Sequence, residues 1–374
     1  QNKTLTYKIK INKAKGKQIK IGSSMGLTTS NLSLPSGTVA FELLSDPSGA
    51  ETLIAKANPE SLDYNSATTD QKNQMWTFSH GATEQLGTTK DYRYIGADPN
   101  NYVKFNDELW RIIGVFDVDN GTGKLEKRLK IIKNEGIGTF SWDNKNTSTG
   151  AATANGKNNW PDARLNYLLN EGHDSETYGG SLYWNRKSGT CYYTYDNGTT
   201  SCDFTSTGLA ASAKEMIGDA KWYLGGSSTY NDVTTPMFYA RERGTTVYSG
   251  RSTSWIGKVG LIYPSDYGYA TSGGSSTNRA SCMSKEMHNW NSSSYSDCKN
   301  NDWLFKYYYW WSLTPSSSSS DGVLYFSRGG GIGEFGTSDS YAYYPNTVSP
   351  VVYLKSATKV TSGTGKWSDP FILK

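Results

Sequence analysis

Apolar and polar residues alternate along Leu5-Thr6-Tyr7-Lys8-Ile9-Lys10-Ile11, the two-residue period of a half-buried strand. Residues 18–21 read as a second strand after a turn at 12–17. Short helical turns are expected at 51–57 and 59–62, a polar loop at 66–74, and a soft boundary near residue 65. Residues 102–116, a turn at Asp119-Asn120-Gly121 and residues 129–132 predict strand, strand, turn and strand, a meander. Pro161 and Asp162 stand ahead of Leu165, Leu168 and Leu169, which predicts a short amphipathic helix ending at Asn170. A second helix is expected within 210–224, after which strands return at 259–263 and 370–373. No 20–50-residue repeat interrupts this order. The pattern is that of an α+β, β-rich chain, with a basic β arm and small connecting module at 1–65 and a larger domain at 66–374.

The last quarter sets two strand-like frames around a polar filling. Residues 307–315, with Trp310 and Trp311 at their centre, and residues 348–354 are rich in β-favouring side chains. Between them, 316–346 is built mostly from Ser, Gly, Tyr and Asp, a composition that offers large amphipathic contact area and adaptable hydrogen bonding. Residues 323–326 and 341–344 read as short strands within it, and alternation along them would display Tyr325, Arg328, Glu334, Phe335, Asp339, Tyr341 and Tyr343 on one ligand-binding face.

Composition supports a β-rich, polar-surfaced protein. Of 374 residues, 13% are aromatic and only 19% charged, with 27 Tyr, 12 Trp and 39 Gly, and the mean hydropathy is −0.62. No apolar run reaches the length of a membrane span. The chain begins at Gln1, as expected of a processed or trimmed protein. Net charge is +4, but seven lysines and no acid fall in residues 1–41, which leaves −3 for the remainder. Only Tyr7 accompanies those lysines, so a nucleic-acid partner is not expected; an anionic surface polymer or a solvated strand face fits better.

The four cysteines fall into two local pairs, Cys191 with Cys202 and Cys282 with Cys298. The first pair flanks Asp196-Asn197-Gly198, a hairpin turn that would bring the sulfurs together. Neither pair, nor His80, His173 and His288, has zinc-ligand spacing, so two disulfides and an oxidising, extracellular setting are expected, with no metal and no cofactor. Gly331-Ile332-Gly333-Glu334-Phe335-Gly336 matches a dinucleotide-loop spacing but opens no helix, and Gly22-Ser23-Ser24-Met25-Gly26 lacks a strand-to-helix elbow.

Several segments carry a family likeness: residues 108–114, 257–270, Tyr309-Trp310-Trp311-Ser312-Leu313 and Pro350-Val351-Val352-Tyr353-Leu354. Over roughly residues 50–374 the chain resembles secreted or anchored surface proteins of gut Firmicutes and their relatives. The resemblance implies a C-type-lectin-like domain, the fold of formylglycine-generating enzymes and of the variable proteins of diversity-generating retroelements. In those variable proteins the ligand surface lies before the final Pro-Val strand, which maps here to 316–346. Ser349 stands where the family usually has Arg, and no Glu-Pro-Asn or Gln-Pro-Asp triplet for calcium-dependent sugar binding is present.

These readings converge on a non-enzymatic, extracellular cell-surface binding or adhesion protein whose partner is a host or bacterial surface protein or glycan. Two alternatives stand beside it: a filament or pilus subunit, and a formylglycine-type oxidase, which would need free thiols. In the filament reading Leu5, Tyr7, Ile9 and Ile11 form the subunit contact, adding a strand to a neighbour's sheet while Lys8 and Lys10 stay in solvent. Deleting residues 1–22 tests that contact by sedimentation and thermal melting. Strand exchange gives lost assembly with an unchanged monomer melt, whereas an arm that closes its own sheet gives a destabilised monomer.

Overall fold

The structure is a computed structural model. It describes residues 47–144, 149–334 and 341–374, together with the backbone of Gln18–Lys20 and Glu42–Leu44. Those two short strands pair antiparallel, Ile19 opposite Leu43, so the strand expected at 18–21 forms over Gln18–Lys20 and takes its partner from further along the chain. Leu5, Tyr7, Ile9 and Ile11 lie outside the described residues.

The body is a sheet-rich α+β structure organised on the hairpin of Glu108–Asp119 and Leu125–Lys133. The expected meander forms: Tyr102–Phe105, Glu108–Asp119 and Leu125–Lys133 are consecutive antiparallel neighbours in the large sheet. Val351–Tyr353 then adds to Leu125–Lys133, and Val259–Gly260 to Val351–Tyr353. On the other side Phe371–Leu373 pairs parallel with Tyr102–Phe105, bringing the end of the chain beside its early strands. From Trp110 to Phe116 every side chain is buried, because the sheet is covered on both faces. Next to a register shift at Ile112–Gly114 this strand also pairs antiparallel with Thr89–Arg93, Arg93 opposite Gly114, and a Cβ at Gly114 would lie 2.1 Å from the Tyr92 carbonyl oxygen. Glycine is required there by backbone approach.

A second, five-stranded sheet contains Trp310–Pro315 at its centre, flanked by Val323–Phe326, which in turn pairs with Ile332–Glu334. On the opposite edge Asn346–Thr347 runs parallel to Trp310–Pro315 and antiparallel to Thr139–Phe140. Trp110, Trp142, Trp160, Trp222, Trp290, Trp310 and Trp311 are all fully buried, so the tryptophan-rich composition goes into the core. Ala50 and Leu53, from the helix Gly49–Ile54, belong to the same core.

Tertiary contacts altered several local expectations. The helix expected within 210–224 stops at Met216: Ile217 bridges Leu354, and Ala220–Tyr223 is a strand paired with Ser254–Gly257. The polar stretch 66–74 holds a helical turn, Thr69–Lys72, with a Thr68/Gln71 capping box. Residues 59–62 make a turn rather than a helix, closed by Leu62 N–H on the Pro59 carbonyl at 3.1 Å. The expected helix after Pro161 forms as Arg164–Leu169, preceded by a 3₁₀ turn at Trp160–Asp162. A helix not expected from the sequence, Pro264–Ala270, is buried along its whole length.

Both expected disulfides are present. Cys191–Cys202 and Cys282–Cys298 bridge with Cα separations of 5.9 and 5.6 Å, and no cysteine is free. No helix among the described residues is long and apolar enough to cross a membrane.

Asp302 sits in the core at 4% exposure. Its Oδ1 accepts from the Leu304 N–H at 2.8 Å, while Oδ2 has no hydrogen-bond partner among the described residues. Burial drives its carboxyl well above the ordinary range, against the smaller opposing pull of the Leu304 amide and Arg111. The folded protein therefore keeps this proton at pH values where the unfolded chain has released it. Its contribution is full below about pH 4 and is lost as pH rises. Asp302→Asn, which is neutral at every pH, is expected to be more stable than the parent at pH 8, with the gap closing toward pH 4. Urea midpoints at the two pH values check this, and a gap of equal size at both would refute the assignment.

Candidate functional site

The serine run that opens the polar filling is held from beneath. Asn158, 1% exposed, points its Nδ2 at the carbonyl oxygens of Ser316, Ser319 and Gly322 at 2.8–2.9 Å. Two amide hydrogens are thus shared among three acceptors. Arg251 orients the amide by donating Nε to Asn158 Oδ1 at 2.9 Å, and its Nη2 reaches the Ser320 carbonyl at 2.8 Å. The loop closes on itself through Ser316 N–H to the Gly322 carbonyl at 2.9 Å. A stretch whose composition suggests a flexible linker is therefore tied at its carbonyls, and its side chains add further bonds, Ser319 to Asp321 and Ser318 to the Ser228 carbonyl at 3.2 Å.

Beyond this loop, Val323–Phe326 sends Leu324 and Phe326 into the core, where Phe326 packs against Trp310 with ring centroids 4.3 Å apart. Period-two alternation turns Tyr325 the other way, and it is half-buried. Its ring covers Gly333 on the next strand, where a Cβ would lie 2.5 Å away, and stands 5.7 Å from Tyr309, which is 40% exposed. The exposed Arg328 places its guanidinium 5.8 Å from the Tyr309 ring centre, in cation–π range. The hairpin turn bearing Arg328 is pinned by Tyr267 Oη donating to the Gly330 carbonyl at 3.0 Å and Lys299 Nζ donating to the Gly329 carbonyl at 2.6 Å.

A second aromatic group gathers around Tyr343. Its ring is stacked with Tyr344 at 4.6 Å and Tyr341 at 5.6 Å, and meets Tyr195 edge-on at 5.7 Å. The segment 341–344 is a turn closed by Tyr344 N–H on the Tyr341 carbonyl, with Tyr341 making a single bridge to Gly322, so the strand expected here is absent. Stacking along a turn, rather than alternation along a strand, brings Tyr341 and Tyr343 together. Tyr195, 59% exposed, comes from the tip of the hairpin Ser188–Thr194 and Gly198–Asp203. Asp196 and Asn197 adopt positive φ there, as a tight hairpin turn demands. Three features hold the tip in place: the Cys191–Cys202 bridge, Asn144 Nδ2 donating to the Thr194 carbonyl at 2.7 Å, and Arg164 lying 3.2 Å above the Tyr192 ring.

The predicted face thus resolves into two groups. Tyr325 and Arg328 join Tyr309, and Tyr341 and Tyr343 join Tyr344 and Tyr195. Glu334 ends a strand, and only its backbone is described, while Phe335 and Asp339 lie outside the described residues. Reading the sequence missed Asn158, Arg251 and Tyr195, which stand 65 or more residues before the filling. Nothing in their local sequence signals a shared site.

Elsewhere in the core lies a cluster of buried charges. Arg93 donates to Asp91 and Asp266 at 2.8 Å each, Lys130 pairs with the second oxygen of Asp266, and His80 lies 3.0 Å from Asp91. Burial pushes the Asp266 carboxyl upward, but Lys130 and Arg93 outweigh it and hold it below the usual range. Burial lowers Lys130 to about 8 despite Asp266. Glu242, which accepts from Ser265 and pairs with Arg243 at 3.0 Å, is raised by burial to about 7. Among the described residues no group of acidic, histidine or cysteine side chains has the arrangement of a metal site.

No family model, curated protein or solved structure matches this chain.

Asn158→Ala removes the donor shared by three inward-facing carbonyls, at a cost of about 2–4 kcal/mol if two are left unpaired. It is expected to lower the urea midpoint and to speed amide exchange at residues 316–322 ahead of the rest of the molecule. Unchanged exchange in that loop would remove Asn158 from the site.

Proposed function

We propose that the protein is a non-enzymatic, extracellular surface-binding or adhesion protein with a C-type-lectin-like domain. Its ligand surface is formed by Tyr309, Tyr325 and Arg328 together with Tyr195, Tyr341 and Tyr343. The observation that carries this reading is the Asn158–Arg251 clamp beneath the serine run. A segment with the composition of a recognition loop is held in one conformation, so that little ordering entropy is lost when a ligand binds. Tyrosines with few rotatable bonds, set on a tryptophan core, add contact area at low entropic cost. Two intact disulfides and the absence of a long apolar helix among the described residues fit an oxidising compartment outside the membrane. Oxidase chemistry that relies on free cysteines has no thiol to use while both bridges stand.

The full chain, probed on arrays of glycans and of bacterial and host surface proteins, tests the reading. Binding to at least one class of component is expected. Tyr309→Ser combined with Tyr343→Ser should weaken it about 10- to 30-fold, as the loss of a contact hot spot does, with no change in melting temperature. Binding that the double variant leaves untouched would place the ligand elsewhere.

A further inference from the structure

The serine run ends at Gly322, which bridges Tyr341, and through Ser317 it borders an open cleft of about 690 Å3, within the range of roughly 300–1,000 Å3 typical of small-ligand sites. Its walls are laced together by backbone bonds. Gly226 N–H donates to the Thr246 carbonyl at 2.8 Å, Ser227 N–H to Pro315 at 3.1 Å, and Ser317 N–H to Ser227 at 3.0 Å. Gln85 Nε2 reaches the Gly244 and Thr253 carbonyls at 2.6 and 2.9 Å. A Cβ at Gly226 would lie 2.9 Å from the Pro315 carbonyl oxygen, so close packing of these loops requires a floor without a side chain.

The chemistry of the lining restricts the ligand. Thr83, Ser228, Thr246 and Ser317 carry hydroxyls, Arg241 and Glu84 carry charge, and among the described residues no aromatic or large aliphatic side chain lines the cleft. Arg241 is oriented through Nη1, which donates to Ser227 Oγ at 2.6 Å and lies 3.4 Å from the Thr229 carbonyl. Its Nε and Nη2 have no protein partner among the described residues, so the edge that can grip a carboxylate through two parallel bonds is free. Glu84 accepts through Oε2 from the Thr245 amide and hydroxyl. That leaves Oε1 to accept from a ligand hydroxyl.

We infer that this cleft binds an acidic saccharide, with a sugar carboxylate on Arg241 and ring hydroxyls on Glu84, Ser228 and Thr246. The Ser228 and Thr246 hydroxyls can each donate and accept, as sugar hydroxyls do, whereas the Thr83 hydroxyl is already engaged with Leu86 and Ser317 Oγ is buried. A peptide's carboxylate could also meet Arg241, but its bulky apolar side chains would find only small apolar groups such as the Ala82 and Ala240 methyls to pack on. The inference does not depend on the tyrosine surface.

Trigalacturonate is the probe, with maltotriose as the neutral control and trialanine as the peptide control, measured by calorimetry and saturation-transfer NMR on the full chain. Trigalacturonate is expected to bind at least about tenfold more tightly than maltotriose. Arg241→Gln should remove about tenfold or more of that affinity, and Thr246→Val, at an exposed position, a smaller part, with unchanged melting temperatures. Binding that survives Tyr343→Ser supports the cleft. Binding lost in Tyr343→Ser but kept in Arg241→Gln assigns the probe to the tyrosines and overturns the inference. Equal binding of maltotriose, binding of trialanine in place of trigalacturonate, or no saccharide binding would overturn it as well.

Discussion

Asp266 is the point on which separate parts of the fold depend. It accepts from Arg93, on a strand paired with the central hairpin, from Lys130 inside that hairpin, and from the backbone amide of Tyr263, which opens its own helix. All three charged side chains are essentially out of solvent. Moving such groups out of water costs several kcal/mol per ion, and removing one partner of a buried pair typically costs about 3–5 kcal/mol. The network therefore does more to exclude other arrangements than to add stability: only a packing that brings Arg93, Lys130 and Asp266 together leaves no charge stranded. Aromatic faces complete the surroundings, with Lys130 4.4 Å from the Tyr263 ring centre and Arg93 4.5 Å from that of Phe116. Glu242 and Arg243 extend the same cluster into the helix Thr235–Glu242 and its first following residue, and so toward the loops that line the polar cleft.

That constraint bears on function because the display surface needs a rigid base. The central strand Trp310–Pro315 carries no charged residue; the Trp311 indole donates to the Phe140 carbonyl, and Trp142, just beyond the edge strand Thr139–Phe140, donates to that of Ser312. Above this base the chain passes through tied turns, the serine run on Asn158, the Arg328 hairpin on Tyr267 and Lys299, and the Tyr195 hairpin on its disulfide. Each turn is held at its backbone and leaves side chains outward. Recognition on such a surface rests on preorganisation, with polar backbone groups satisfied below and tyrosine rings presented above.

Much of this was legible along the chain where the signal is local. The 102–132 meander, the helix after Pro161, the two disulfides and the buried Trp310-Trp311 frame all follow from periodicity, turn chemistry or spacing within a few tens of residues. The surprises lie where a distant partner overrides a local preference. Residues 217–223 look helical, yet Ile217 is drawn into a bridge with Leu354 and Ala220–Tyr223 into pairing with Ser254–Gly257. Residues 341–344 look like a strand, but their backbone turns after one bridge and their rings stack.

The amino-acid sequence by itself determined the class of structure and the character of the surface. Alternation sets which side chains of a strand share a face, and a stretch rich in Ser, Gly and Tyr marks a surface segment, although Val323, Leu324, Phe326 and Ala342 within 316–346 are buried. Which residues meet there was decided only by the tertiary structure. Asn158 and Arg251 act on carbonyls roughly 70 to 165 residues further along the chain, and Tyr195 joins Tyr343 across 148 residues. Hydrogen bonds to main-chain carbonyls do not depend on the identity of the residue that owns them, so the accepting positions carry no mark of the donor that holds them.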